Sequence, residues 1–459
     1  MSRRSARRLR RAVQFGFLLF FLVVGFATFQ SFTPGRAAEG LFPFDPLAAF
    51  AAMLAGRTWI GGMAWAFGTL ALTVVLGRVW CGWICPLGTT LEYVRFKSAA
   101  RREARVSPRW RTVKYVLLST IVVMAAFGSM SFLVLDPITI FNRTVATAVV
   151  PLVDGAVRGI ESLAGDVSRL SGAVDWVNSS VRGTVLPRTQ PFFWQGVVIG
   201  GIFGAVVALN LLADRFWCRY LCPLGALLGA FSKFALFRPL VNESCSGCRR
   251  CASACRLGAI EVADATDTPP ATDDAPADAG ITPEAGVEAP ATAVDTPAAA
   301  VEAPATAAVD GPRCPGGSMT VVTSECTMCT DCLVACPDGA SMRFGRAHTT
   351  GPWQPYDPGR REVLASAVLG VGAVALLGTG PWQGERPRAV LRPPGVTDED
   401  DFLSTCIRCG ACVSVCPTSG LQPAGGQAGA AGFWTPVLEP RRGYCEYTCT
   451  ACGSICPSD

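Results

Sequence analysis

The stretch FLSTCIRCGACVSVCP, residues 402–417, decides the reading of this 459-residue chain. Cys406, Cys409, Cys412 and Cys416 follow the spacing C-x2-C-x2-C-x3-C, and Pro417 comes directly after. Three close-set thiolates wrapped on one turn suit a single iron–sulfur cubane, and a fourth turned away suits a second one. The small residues Gly410 and Ala411 let the backbone approach the sulfides, and the proline sets the exit of the chain. The same spacing recurs at Cys245, Cys248, Cys251, Cys255 and at Cys326, Cys329, Cys332, Cys336. A near repeat, C-x3-C-x2-C-x3-C, holds Cys445, Cys449, Cys452 and Cys456. Zinc sites normally use two separated pairs of ligands. Disulfide scaffolds belong mostly to short secreted chains. All sixteen cysteines are therefore expected to be [4Fe-4S] ligands.

The order of the motifs suggests two units of two clusters each. In the first unit, Cys245, Cys248, Cys251 and Cys336 would share one cluster, and Cys326, Cys329, Cys332 and Cys255 the other. In the second, the sets would be Cys406, Cys409, Cys412 with Cys456, and Cys445, Cys449, Cys452 with Cys416. Arg256 stands where the other three motifs have proline, which puts its local turn in question. Four further cysteines form another pattern: CGWICPLG holds Cys81 and Cys85, and CRYLCPLG holds Cys218 and Cys222. An i, i+4 pair shares one face of a helix. Two such pairs related by an internal repeat could converge on a fifth metal or iron–sulfur site. Free or structural thiols are the plainer alternative. Cys314 is left over and reads as a bystander.

The rest of the composition narrows the chemistry. His348 is the only histidine, so bis-histidine haems are excluded, and there is no C-x-x-C-H attachment motif. Half the residues are hydrophobic and 16% are charged, which points to membrane segments. Apolar runs fall at about 13–29, 59–76, 113–135 and 192–212, with a shorter one at 363–378. Six arginines precede the first run, and the Arg95–Lys114 loop carries eight basic residues against one acidic. Positive charge puts these segments in the cytoplasm. The first run could also be read as a signal peptide. Stretches within 150–170 read as surface-lying helix or as soluble loop. The net charge of +5 conceals an insert, 261–310, with eleven acidic residues and no Lys or Arg. Such a segment, rich in Ala, Pro and Thr over about 256–325, cannot bury enough surface to fold. Nothing resembles a nucleic-acid footprint, which would be a basic patch on a folded domain.

The expected architecture is an α-helical transmembrane bundle of four to five spans with α+β, two-cluster ferredoxin-like domains. Residues 1–240 would be the membrane domain with both C-x3-C-P motifs. Residues 241–347 would be the first two-cluster domain, interrupted by the acidic insert 261–312. Residues 348–392 would be a linker containing Arg360-Arg361 and the fifth apolar run, and residues 393–459 the second two-cluster domain.

On these residues the chain resembles two known families. Residues 10–345, with their spans, paired C-x3-C-P motifs and two-cluster unit, are similar to the NapH-type membrane polyferredoxins. RREVLASAVLG at 360–370, RPPG at 392–395, FLSTCIRCGACVSVCP and FWTPVLEPRRGYCEYTCTACGSICP at 433–457 resemble the NapG/MauM-type ferredoxins. The resemblance implies a fused quinol dehydrogenase module in a bacterial inner membrane. It would draw on the quinone pool and pass electrons to a periplasmic reductase or c-type cytochrome. It also implies export at the twin arginines, which leaves the first ferredoxin cytoplasmic and the second periplasmic. Such ferredoxins usually continue with more cluster motifs, so the second unit is expected to be truncated. A related polyferredoxin role, supplying electrons for assembly, maturation or regulation of a metalloenzyme, is the rival reading. Quinol releases protons as well as electrons, and Asp136, at the outer end of the third run and followed by Pro137, is a candidate acceptor. A helix-ending Asp-Pro at the interface is its alternative. The hydrocarbon core is about 30 Å thick. The C-x3-C-P site, a quinone or a partner must therefore bridge it, unless both ferredoxins lie on one side.

Overall fold

A computed structural model describes residues 3–28, 42–96, 110–165, 175–182, 186–187, 189–241, 245, 248–262, 319–337, 342–346, 360–379 and 390–458. Cys314, His348, most of the Arg95–Lys114 loop and the acidic insert between residues 262 and 319 lie outside these.

The described chain is mostly helical. Helix α1 (Arg3–Ala27) is 25 residues long, with an arginine-rich start and an apolar remainder. Helix α2 (Pro46–Gly56) begins at an Asp-Pro pair. Asp45 caps it, its carboxylate accepting from the Leu47 and Ala48 amides, and Pro46 occupies a first-turn position where no amide is needed. Helix α3 (Trp65–Leu76) leads into a wide π-type turn at Trp80–Ile84 and then α4 (Pro86–Tyr93). Helix α5 (Arg111–Ala126) follows.

The apolar run at 113–135 is not one span. It stops after Ala126, reverses at Gly128 (φ 77°) and returns through a 3-10 turn, Ser131–Leu135, to Asp136. Asp136 then starts a helix instead of ending one. Its carboxylate accepts from the Ile138 and Thr139 amides and caps α6 (Pro137–Thr144). A π turn, Val145–Val149, joins α6 to α7 (Val150–Gly165). Residues 137–164 make one 28-residue apolar helix, so the stretch from 150 to 165 is helix and not loop. Helix α8 (Gly196–Ala208) leads to a further π turn, Trp217–Leu221, and α9 (Pro223–Ser232).

Among the described residues two helices, Arg4–Ala27 and Pro137–Ala164, are long and apolar enough to cross a bilayer. The runs expected at 59–76 and 192–212 become the shorter apolar helices Gly61–Leu76 and Gly196–Leu211.

The first ferredoxin unit has strand β1 (Phe237–Val241), α10 (Arg250–Ala254), β2 (Ile260–Val262), β3 (Met319–Val321), α11 (Asp331–Ala335) and β4 (Met342–Arg346). β1 pairs antiparallel with β4, and β2 with β3. The residues just inside both ends of the 256–325 stretch are therefore folded, because β2 and β3 close a ladder across the insert. Helix α12 (Arg360–Thr379) packs on α5, where Gly370 sits against Val123. The second unit has α13 (Glu399–Thr405), α14 (Ala411–Val415), β5 (Leu421–Pro423), β6 (Pro436–Leu438) and α15 (Ala451–Ser454). β5 and β6 pair antiparallel.

Helix α1 measures the separation of the two units. Arg7 and Arg10 near its start pair with Asp331 of the first unit, at 3.3 and 3.8 Å. At its far end the Ser414 hydroxyl of the second unit bonds Thr28 at 3.3 Å. At 1.5 Å per residue, Arg10 and Thr28 stand roughly 27 Å apart along the axis. The two ferredoxin units thus dock on opposite ends of the helical domain.

Candidate iron–sulfur centres

Each ferredoxin turn is built by left-handed residues. Arg249, Thr330 and Gly410, each directly after the second cysteine of its motif, have φ of 57°, 65° and 79°. Met328 and Arg408, directly before that cysteine, have φ of 53° and 58°. Alternation of this kind turns successive amides inward and makes a concavity that receives negative charge. The fourth motif, with its extra residue between Cys445 and Cys449, has no such residue, so its wrap differs.

The thiols converge in crossed sets. One cavity is lined by Cys255, Cys326, Cys329 and Cys332. A second, of about 360 Å³, is lined by Cys406, Cys409, Cys412 and Cys456. A third is lined by Cys416, Cys445, Cys449 and Cys452. Cys245, Cys251 and Cys336 lie in one packed cluster that also holds Cys255, Cys326 and Cys332, and Cys245 and Cys248 act electrostatically on Cys251. The twenty described cysteines are all free thiols. Among the described residues no three His, Cys, Asp or Glu side chains crowd closely enough to hold one metal ion. Thiols facing a common cavity at wider spacing suit a multi-iron cluster better than a lone zinc ion. Burial pushes the Cys326 thiol up to about 12 and the Cys329 thiol up to about 11. Without a cluster these thiols stay protonated, so loading must release protons.

The C-x3-C-P pairs also meet, though not as partners on one helical face. In each, the first cysteine lies in a π turn and the second caps the helix after it. Cys85 Sγ accepts from the Gly88 amide at 3.4 Å, and Cys222 Sγ from Gly225 at 3.2 Å. Both sulfurs therefore sit at helix N-termini, where negative charge is stabilised. All four cysteines are buried, and Cys81, Cys85 and Cys218 all act on Cys222.

Two arginines missed in the sequence complete this site. Arg78 and Arg215 each stand three residues before the first cysteine of their repeat, and both are buried. Arg215 Nη2 donates to the Cys81 carbonyl at 2.8 Å, so each repeat reaches into the other. Arg78 Nη1 donates to the Ser324 carbonyl at 2.6 Å in the first ferredoxin. Aligning RVWC with RFWC would have exposed the pair.

The first ferredoxin is held against this site by buried ion pairs. Glu325 lies 2.5 Å from Lys114 Nζ and 3.4 Å from Arg78. Glu92 is gripped by Arg10, by Arg256 at 2.9 Å and by Arg215 at 3.8 Å. Burial raises the Glu92 carboxyl, but Arg215, Arg10 and Arg256 outweigh it and hold it below the ordinary value. Arg256, the departure from proline, is thus explained: it trades a rigid exit for a charge that docks the unit. The N-terminal arginines, read from sequence as topology signals, dock it too. Backbone contact is close here. A Cβ on Gly82 would stand 2.3 Å from the Thr327 carbonyl oxygen. Gly82→Ala is expected to loosen this interface by about 1–3 kcal/mol, as overpacking does. Faster proteolysis of the first unit, with the second unchanged, would be the readout.

The second ferredoxin docks at the other end. Asn142 Nδ2 donates to the Cys409 carbonyl at 3.0 Å and Arg143 Nη1 to the Arg408 carbonyl at 3.2 Å. Arg143 also lies over the Trp434 ring, 4.0 Å from its centroid. Asp136 itself, expected near the membrane surface, is fully buried.

Comparison with known proteins finds 4Fe-4S families over part of the chain. A family described as a 4Fe-4S binding domain matches residues 49–103 and 195–241, which contain the two C-x3-C-P motifs. A second family of the same description matches residues 402–421. The methylamine utilization ferredoxin-type protein MauM of Methylorubrum extorquens is 36% identical over 112 residues, 23% of this chain and 50% of that protein. Ferredoxin-type protein NapG of Escherichia coli is 39% identical over 106 residues, 22% of this chain and 45% of that protein. MauN of M. extorquens is 24% identical over 260 residues, 55% of this chain and 74% of that protein. The chain spans about half the length of the MauM and NapG relatives it matches. No solved structure matches it. The fold and sites define an iron–sulfur electron-transfer protein. The chain is similar, over part of its length, to the ferredoxin-type proteins MauM, NapG and MauN.

Proposed function

We propose that this protein takes electrons from quinol and carries them through [4Fe-4S] clusters to a redox partner on the other side of a bacterial inner membrane. The sixteen ferredoxin-motif cysteines ligate four clusters in the crossed sets, and Cys81, Cys85, Cys218 and Cys222 ligate a fifth. Bound clusters supply one-electron chemistry. The protein orients them, excludes water and fixes their spacing. The helical domain spans the bilayer, with the shorter apolar helices completing a bundle of four to five crossings. The basic N-terminus puts the first ferredoxin in the cytoplasm, and the second then faces the periplasm, where a reductase or c-type cytochrome accepts the electrons.

One observation carries this reading: the two ferredoxin units dock on opposite ends of α1, with the C-x3-C-P thiols packed beneath the first. Gly82, next to Cys81, touches Thr327, next to Cys326. An electron entering either centre has the other as its neighbour. The separation of the units by roughly 27 Å along the helix also matches the thickness of a hydrocarbon core.

Protein purified anaerobically is expected to hold about 16 iron atoms with four clusters and about 20 with five. A quinol analogue should bleach its visible absorption. Full iron content with no response to any quinol, while dithionite still reduces the clusters, would remove the quinol role.

A further inference from the structure

The sequence repeats a second motif besides C-x3-C-P. Phe44-Asp45-Pro46-Leu47 precedes the first pair and Leu135-Asp136-Pro137-Ile138 the second. In both, the aspartate caps a helix that starts inside the protein, α2 and α6. Both aspartates are fully buried. Each uses one oxygen for its cap: Asp45 Oδ1 accepts from Leu47 and Ala48, and Asp136 Oδ2 from Ile138 and Thr139. The other oxygens, Asp45 Oδ2 and Asp136 Oδ1, make no hydrogen bond among the described residues. The two carboxyl groups interact directly with one another.

Their depth follows from α1. The Phe21 ring packs on Phe141, with centroids 6.3 Å apart, and Val145 packs on Gly25. Helix α6 therefore runs parallel to α1. Asp136, five residues before Phe141, lies about 7 Å below it, toward the first ferredoxin. That is near mid-depth between the two docked units. Two acceptor-only carboxylates cannot face each other in a dry interior without a proton between them. The helix N-termini favour one negative charge there. Arg143 on α6 adds a positive field, and the Thr139 hydroxyl lies beside Asp136.

We propose that Asp45 and Asp136 form a single buried proton site that accepts, one at a time, the two protons quinol releases on oxidation. This rests on the quinol reading. Each quinol becomes quinone, giving two electrons to two oxidised clusters and two protons to the protein. The pair passes from one shared proton to two as it takes each proton from quinol, and back to one as it releases that proton to solvent water, twice for each quinol.

Infrared difference spectra, reduced minus oxidised, test the site directly. Wild type reduced by dithionite should show a carboxylic-acid C=O band that shifts in D2O. Asp45→Asn and Asp136→Asn, whose side chains still cap helices, should each remove it while iron content stays the same. Quinol-driven reduction in these variants should fall about 100-fold or more in kcat. Asp136→Glu should restore part of both signals. Loss of the band in neither variant, or unchanged quinol turnover in both, would overturn the proposal. A wild-type band lost in the variants, with no quinol reduction of wild type, would support the proton site and overturn the quinol reading.

Discussion

Replacing Glu325 by alanine is expected to detach the first ferredoxin from the helical domain at a cost of about 3–5 kcal/mol. Glu325 is fully buried, and so are the charges it neutralises, Lys114 and Arg78. Its removal leaves two uncompensated cations in a dry interface, which is the costly way to break a buried pair. Glu325→Gln, which keeps the shape, should recover only part of the loss. Hydrogen exchange of the first unit's amides checks this, since undocking exposes them and leaves the second unit as a control. The same contact carries a pH signature. Burial raises the Glu325 carboxyl, but Lys114 and Arg78 outweigh it and hold it below its ordinary 4.5. A depressed carboxylate stabilises the fold fully above its unfolded value. That stability is lost as pH falls through the lower folded value. Acid should therefore undock the wild-type first unit below about pH 4.5. Glu325→Gln should lose that step while other carboxylates still titrate.

The second large effect concerns the crossed thiols. Cys255→Ala is expected to eliminate the cluster of Cys326, Cys329 and Cys332, and to leave the cluster of its own motif-mates Cys248 and Cys251. The cavity lining puts Cys255 with the second motif. In the same way Cys456→Ala should remove the cluster of Cys406, Cys409 and Cys412. Each variant should lose about four iron atoms and one of the paramagnetic signals seen on full reduction. Electron flow from end to end should stop in both. Loss of the Cys245, Cys248 signal on changing Cys255 would mean that the motifs are not crossed.

Much of the site was legible because cluster binding imposes local spacing. Four cysteines within eleven residues can wrap a cubane only in a few ways, so residues 406–416 announce their chemistry without any neighbour. The C-x3-C-P pairs were visible as a repeat, but that they meet was not, since residues 85 and 218 are distant along the chain. Asp136 was legible as a residue and misplaced as a position. A hydrophobic run of 23 residues reads as one span, and the reversal at Gly128 inside it has almost no hydropathy signal. Asp45 escaped notice because its partner is needed to give it meaning. Arg256 looked like a defect in a motif until Glu92 appeared beside it.

The sequence by itself determined the cofactor class, because thiolate spacing is a covalent property of the chain. It also determined the apolar character of the helical domain. Only the tertiary structure decided that the two ferredoxins sit at opposite ends of α1, that Arg78 and Arg215 cross between repeats, and that two aspartates meet in the interior. Those are relations between residues about 90 to 390 positions apart. They are set by which buried charge finds which partner and which backbone can approach which glycine, and no local pattern encodes such choices.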